Sequence, residues 1–174
     1  MLLAIDVHYL SDQAFVAAVA FNVWDAAKPD QIYQTSLTGI ADYEPGQFYK
    51  RELPCILQLL DKHQLQPSII IIDGYVTLNK QGHAGLGTYL YAALEQRSKI
   101  IGIAKRPFFD IGEDTKIFRG KSENPLFVTS IGIDLAEAKA LILKMHGEHR
   151  LPTLLKLADS LCREQAKQSK FGSA

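Results

Sequence analysis

Residues 69–87 read IIIIDGYVTLNKQGHAGLG. Four successive isoleucines show no in–out alternation, so both faces of the segment call for apolar cover. Pro67 lies just before and Gly74 just after. Residues 68–73 therefore read as a short, fully buried, parallel strand. That strand ends on Asp73, and a charge closing a buried run is costly without a partner. One explanation is ordinary: a turn former, or the cap of the next helix. The other is that the strand delivers a carboxylate to a site.

Upstream, residues 2–10, 14–24 and 31–40 read as three strands, parted by polar turns at 11–13 and 25–30, in an antiparallel meander. Pro45-Gly46 opens a helix in which Phe48, Ile56, Leu59 and Leu60 recur at helical spacing, with Pro54 expected to kink it. Downstream, 86–97 reads as a helix and 99–105 (KIIGIAK) as a second buried strand. Residues 106–125 read as a loop or irregular hairpin, and 126–131 as a strand. Residues 134–145 and 151–165 read as helices. The order predicts a single α/β domain over residues 1–166 and a polar tail over 167–174. Its mixed sheet has three antiparallel strands followed by parallel strands, with helices on both faces.

The 174 residues suffice for one full core. Nineteen basic and nineteen acidic residues cancel, so no global basic field advertises a nucleic-acid coat protein. A local basic groove is compatible with that balance, with Lys50, Arg51, Lys80, Lys105, Arg106, Arg119 and Lys121 as candidates. Cys55 and Cys162 fall in apolar helical patterns, which suits free thiols in a reducing compartment. The start has no signal-type basic region, and no stretch has membrane-span length. The expectation is a soluble cytoplasmic protein without a membrane partner.

Three more carboxylates sit where apolar residues belong. Asp6 interrupts LLAIDVHYL. Glu52 lies four residues after Phe48 and four before Ile56, on the core face of its helix. Asp159 follows Leu155 by four and precedes Cys162 by three, bordering the stripe of the last helix. Singly, each has a plain explanation: Glu52 pairs with Arg51 or Lys105, and Asp159 is half solvated. Together, converging carboxylates repel one another and persist where a divalent cation sits among them. Mg²⁺ takes hard oxygen ligands and keeps several waters, so two or three carboxylates suffice. Lys105 shares a strand face with Ile101 and Ile103. It either supports phosphate or water beside the acids or forms a salt bridge to Glu52 or Asp73.

In order along the chain, these pieces resemble the endonuclease V family, which is ribonuclease H-like. The pieces are AIDVHY (4–9), YEPGQFYKRE (43–52), IIIIDG (69–74), IGIAK (101–105), LFVTSIGIDLAEA (126–138) and HRLPTLLKLADSL (149–161). The predicted element order is compatible with a ribonuclease H-like sheet. The resemblance implies a Mg²⁺- or Mn²⁺-dependent endonuclease acting near inosine or deoxyinosine in DNA or RNA. It cuts the second phosphodiester on the 3′ side and leaves 3′-hydroxyl and 5′-phosphate ends. It implies Asp6, Glu52 and Asp73 as metal-site carboxylates and Lys105 as the active-site lysine. It also implies Tyr43 as a wedge at the lesion, in a turn shaped by Glu44, Pro45 and Gly46.

The chain departs from the family pattern in three places. Where the family has His-Gly, then His-Pro-Arg-Arg and Gly-Leu-Ala, this chain has Tyr75-Val76, then Asn79-Lys80-Gln81-Gly82-His83, then Gly85-Leu86-Gly87. Asn79, Lys80, His83, Gly85 and Leu86 become the candidates for the base pocket, with glycine N–H groups and the following helix N-terminus open to an anion. Asp159 stands where the family usually has histidine, which makes it a candidate fourth metal ligand. The family's common N-terminal helical extension is not expected. Two other functions fit the same residues: a nuclease of this fold with a different structural substrate, and a non-catalytic nucleic-acid-binding relative.

Overall fold

The computed structural model describes residues 1–40 and 47–171. Seven strands form one sheet in the order β3-β2-β1-β4-β5-β7-β6. β1 (Leu2–Leu10), β2 (Gln13–Phe21) and β3 (Gln31–Thr38) make the antiparallel meander, with Asp6 opposite Ala17. β4 (Ile69–Asp73) lies parallel to β1, Ile5 beside Ile72, and β5 (Lys99–Ala104) lies parallel to β4, Asp73 beside Ile103. The edge is β7 (Leu126–Ile131) with the two-residue β6 (Lys116–Ile117).

Strand alternation explains the isoleucine run. Ile69 and Ile71 join Leu2, Ala4, Ile101 and Ile103 in one core, under α3 (Leu135–Lys144) and α4 (Thr153–Phe171). Ile70 and Ile72 join Leu3, Ile5 and Ile100 in the other, under α1 (Tyr49–Lys62) and α2 (Leu86–Ala93). With both faces covered, no position in the strand is free to be polar until its end. Both cysteines are free and buried, as their apolar settings suggest.

Three details differ from expectation. The parallel section stops at β5, and β7 runs antiparallel to it. The intervening segment supplies only a 3₁₀ turn at Glu113–Thr115 and β6, and without a crossover helix the chain can only return in the opposite sense. α2 ends at Ala93 rather than at residue 97, and Glu95 and Gln96 take left-handed backbone conformations just beyond it. α4 continues to Phe171, and its Ser169 Oγ donates to Gln13 Oε1 at 3.3 Å.

The glycine within KIIGIAK has a steric cause. A Cβ at Gly102 would meet Gly74 O at 2.5 Å and Thr129 Oγ1 at 2.8 Å. The chain leaving β4 crosses β5 there, where Val76 N donates to Thr129 Oγ1 at 2.8 Å. This crossing fixes where the 74–87 segment starts its course beside the site.

Candidate active site

Alternation along the strands also sets the site. Asp6 follows Leu2 and Ala4, Asp73 follows Ile69 and Ile71, and Lys105 follows Ile101 and Ile103, all on the α4 side of the sheet. Asp73 ends β4 and Lys105 follows the last residue of β5, while Asp6 lies midway along β1, just past Ile5, the last residue of β1 paired with β4. α4 packs across β1 and β2 and brings Asp159 to the same place. Glu52 arrives from the first turn of α1, on the opposite layer, only 5% exposed. A cleft of roughly 600 Å³ collects Asp6, Glu52, Asp73, Lys105 and Asp159.

The electrostatics are those of crowded acids. Burial, then the charge of Asp73, pushes the Asp6 carboxyl up to about 7, despite the Val7 N–H donating to it at 2.9 Å. A protonated Asp6 donates to Asp159. Burial, then Asp6 and Asp73, holds Glu52 well above the usual carboxylate range, and Glu52 makes no ion pair among the described residues. Burial pulls Asp159 upward too, but Arg163 (Nε to Oδ1, 2.8 Å) and the Asp6 hydrogen bond prevail and lower it. Burial works against the Lys105 ammonium, yet Asp73, with Asp159 and Asp6, outweighs it and raises its pKa.

Lys105 Nζ donates to Asp73 Oδ2 at 3.0 Å, so the salt bridge expected for this lysine is present, within the site. Among the described residues no three His, Cys, Asp or Glu side chains are already gathered as a chelate. The donor set nevertheless fits a hard divalent cation. Its ligating atoms are carboxylate oxygens, and their mutual repulsion leaves two of them short of counter-charge.

The 74–87 segment is less open than its glycines imply. Thr77 pairs with Ala84, and Leu78 N donates to His83 O at 2.8 Å, making a small hairpin. Its tip carries Asn79, Lys80 and His83 away from the cleft; Asn79 and Lys80 border a different cavity and His83 is held by Asn79. Gly85 and Leu86 do line the cleft. The expected anion-binding glycine amides are spent: Gly82 N on Asn79 O, Gly85 N on Val76 O and Gly87 N on Tyr75 O. Gly85 and Gly87 answer to close packing instead, since a Cβ on Gly85 would sit 2.5 Å from Tyr75 O and one on Gly87 2.6 Å from Val76 Cγ2, and Gly82 answers to its φ of +78°. Tyr43, Glu44, Pro45 and Gly46 lie outside the described residues.

Of the expected groove cations, Lys105 and Arg106 line the cleft. Arg119 does not: it is buried, and its guanidinium donates to the carbonyls of His149, Arg150 and Gly147 and, closely, to that of Met145. Lys80 lies 3.8 Å from Asp110. Sequence reading did not single out His8, Tyr9, Phe108 or Arg163, all of which line the cleft. Two signals were available: His8 is two residues beyond Asp6 on one strand face, and Arg163 is one helical turn beyond Asp159. Phe48, placed on the core stripe by its spacing, is the N-cap of α1 and lines the cleft at 41% exposure.

A mixed sheet with acids gathered where its parallel strands end, faced by α4, defines a ribonuclease H-like protein. The Endonuclease V family model matches residues 1–121. Endonuclease V of Streptomyces avermitilis is 31% identical over 188 residues, covering 95% of this chain and 80% of its own. That of Nostoc punctiforme is 27% identical over 173 residues, covering 86% and 74%. The chain belongs to the endonuclease V family. The crystal structure of the Streptomyces avermitilis protein superposes with a TM-score of 0.75 at 28% identity, over 97% of this chain and 82% of that one. A Ciona intestinalis Endonuclease V, in complex with a DNA containing an inosine followed by a ribo-adenosine, gives 0.77 at 19% identity, over 96% and 86%.

Proposed function

We propose that this protein is a divalent-metal-dependent endonuclease that hydrolyses a phosphodiester 3′ to inosine or deoxyinosine in DNA or RNA, serving DNA repair or RNA processing in the cytoplasm. The observation that carries this reading is the convergence of Asp6, Glu52, Asp73 and Lys105 on one cleft, in a chain of the endonuclease V family. The nucleic-acid partner and its inosine are supported by the Ciona intestinalis relative with its inosine-containing DNA.

Asp6 and Asp73 hold the metal, Mg²⁺ or Mn²⁺, and Glu52 either completes its ligands or orients the attacking water. Asp159, hydrogen-bonded to Asp6, is the fourth candidate ligand. The bound cation supplies Lewis-acid stabilisation for charge on the phosphoryl oxygens. Lys105 shares its ammonium between Asp73 and the incoming phosphate, placing a fixed positive charge where negative charge develops. Gly85 and Leu86 form the cleft wall nearest the base. Tyr43, with Pro45 and Gly46 close by in sequence, is the wedge: a rigid ring that replaces lost stacking when a base is extruded.

The test is cleavage of matched oligonucleotides carrying inosine or adenine at one position, with Mg²⁺, Mn²⁺ or chelator. The expected result is metal-dependent cutting of the inosine strand at the second phosphodiester on its 3′ side. Equal cutting of the adenine strand contradicts the substrate assignment, and cutting in chelator contradicts the metal.

A further inference from the structure

Phe109 is 88% exposed and Phe108, beside it, 41%. Both belong to KRPFFD, residues 105–110, just beyond β5. Large apolar rings left in water forgo burial worth roughly 25 cal/mol per Å². A slack loop would fold them away, but this backbone is braced. Tyr75 Oη donates to Arg106 O at 2.6 Å and accepts from Phe108 N at 3.2 Å. The Phe108 ring packs edgewise on Tyr75 at 6.2 Å. Lys80 N donates to Asp110 O at 3.2 Å, and Gln81 Nε2 donates to Asp110 Oδ2 at 3.0 Å. The loop thus holds its rings out on a fixed frame. Phe108 and Arg106 line the same cleft as Asp6 and Asp73, and Phe48 lines it from the start of α1; Phe109 is the residue next to Phe108 and lies outside that lining.

Basic groups interleaved with exposed rings are what an unpaired strand requires: cations for its phosphates and flat apolar faces for its bases. In a duplex the bases flanking an extruded one stay stacked on their neighbours, so a ring beside the cleft gains most from an unpaired strand.

We infer that Phe108 and Phe109 form a base-stacking platform for unpaired nucleotides next to the cut site, making single-stranded nucleic acid the preferred form of the substrate. The inference rests on the nuclease reading, because it places the strand's phosphates over the carboxylates.

The test compares wild type, the double variant Phe108→Ala/Phe109→Ala, and Phe118→Ala, another exposed ring (59%) that lies outside both the 105–110 loop and the cleft lining. Binding of an inosine-containing single strand and of its duplex is followed by anisotropy, with Ca²⁺ replacing Mg²⁺ to keep the strand intact. A 2-aminopurine at each position flanking the inosine reports stacking directly. The double variant is expected to lose about 10–100-fold in single-strand affinity, from stacking of one to two bases. It should lose less than about threefold on duplex and should no longer quench 2-aminopurine. Phe109→Trp should keep both affinity and quenching, and Phe118→Ala should match wild type. Equal losses on both substrates, no loss at all, or no single-strand binding by wild type overturns the platform. A wild type that binds and quenches normally but ignores inosine in cleavage contradicts the proposed function and leaves the platform standing.

Discussion

Strands β1, β4 and β5 have two ends, and the chain treats them differently. At the N-terminal ends polar groups are paired off. Ser68 donates to Met1 O through both its amide and its hydroxyl, each at 3.0 Å. Ser98 Oγ donates to Pro67 O at 2.7 Å, and Lys99 N to Ser68 O at 3.0 Å. Toward the other end, where the parallel pairing of β1 with β4 stops, Asp6 within β1, Glu52 of α1 and Asp73 repel one another across the cleft, with Lys105 against Asp73. Nearby, Tyr9 Oη and Arg51 Nε are buried without a hydrogen-bond partner among the described residues, although the Arg51 guanidinium rests 4.2 Å from the centre of the Tyr9 ring. The same backbone is thus closed for stability at one end and kept under electrostatic tension at the other. Tension of that kind is retained where a ligand relieves it.

The contrast breaks most visibly at Asp73. Asp73→Ala should cut single-turnover cleavage of an inosine-containing strand on the order of 10³-fold, without loss of thermal stability. Undiminished cleavage would sink the metal-site assignment. Lys105→Ala should cost roughly 10²-fold in the same assay, since it removes one preorganised charge while leaving the acids. A rate within threefold of wild type would reduce Lys105 to a salt bridge.

Asp6→Asn separates activity from stability. Asp6 is held up at about 7, so the folded protein keeps a proton there that the unfolded chain releases near 3.8. That group's contribution to stability is fully present below the unfolded value and is lost as pH rises through about 7. In metal-free buffer above pH 7, Asp6→Asn should therefore be more stable than wild type by roughly 2–4 kcal/mol in urea titrations, the gain fading as pH falls. A loss of stability at that pH would mean the acids are not in tension. At the other end, Ser98→Ala should cost about 1 kcal/mol by removing a buried hydrogen bond, with cleavage unchanged. A large rate effect there would show that the two ends are coupled.

Much of this was legible in the sequence, for identifiable reasons. IIIID reads as a buried strand because uninterrupted β-branched residues suit only a two-faced core, and Asp73 stands out by ending it. Asp6 and Glu52 are conspicuous for the same reason, as charges inside apolar periods. The direction of β7 was not legible, because periodicity carries no sense of direction and the irregular 106–125 segment does not announce a missing crossover. Phe48 satisfied the helical period, yet as the N-cap of α1 it is 41% exposed and faces the cleft. Glycines 82, 85 and 87 suggested open amides, but backbone partners decide that, and the partners come from Tyr75, Val76 and Asn79. Arg119 looked like a groove cation, although its role is to gather carbonyls from the segment before α4.

The proposed divalent cation lies between Asp6 and Asp73. A crystal soaked with Mn²⁺ tests it most directly, through anomalous density. The account predicts a peak touching the carboxylates of both Asp6 and Asp73, with contact to Asp159 deciding whether the fourth acid joins. Saturating Mn²⁺ that leaves the Asp6–Asp73 site without density, or binds only elsewhere, would contradict it.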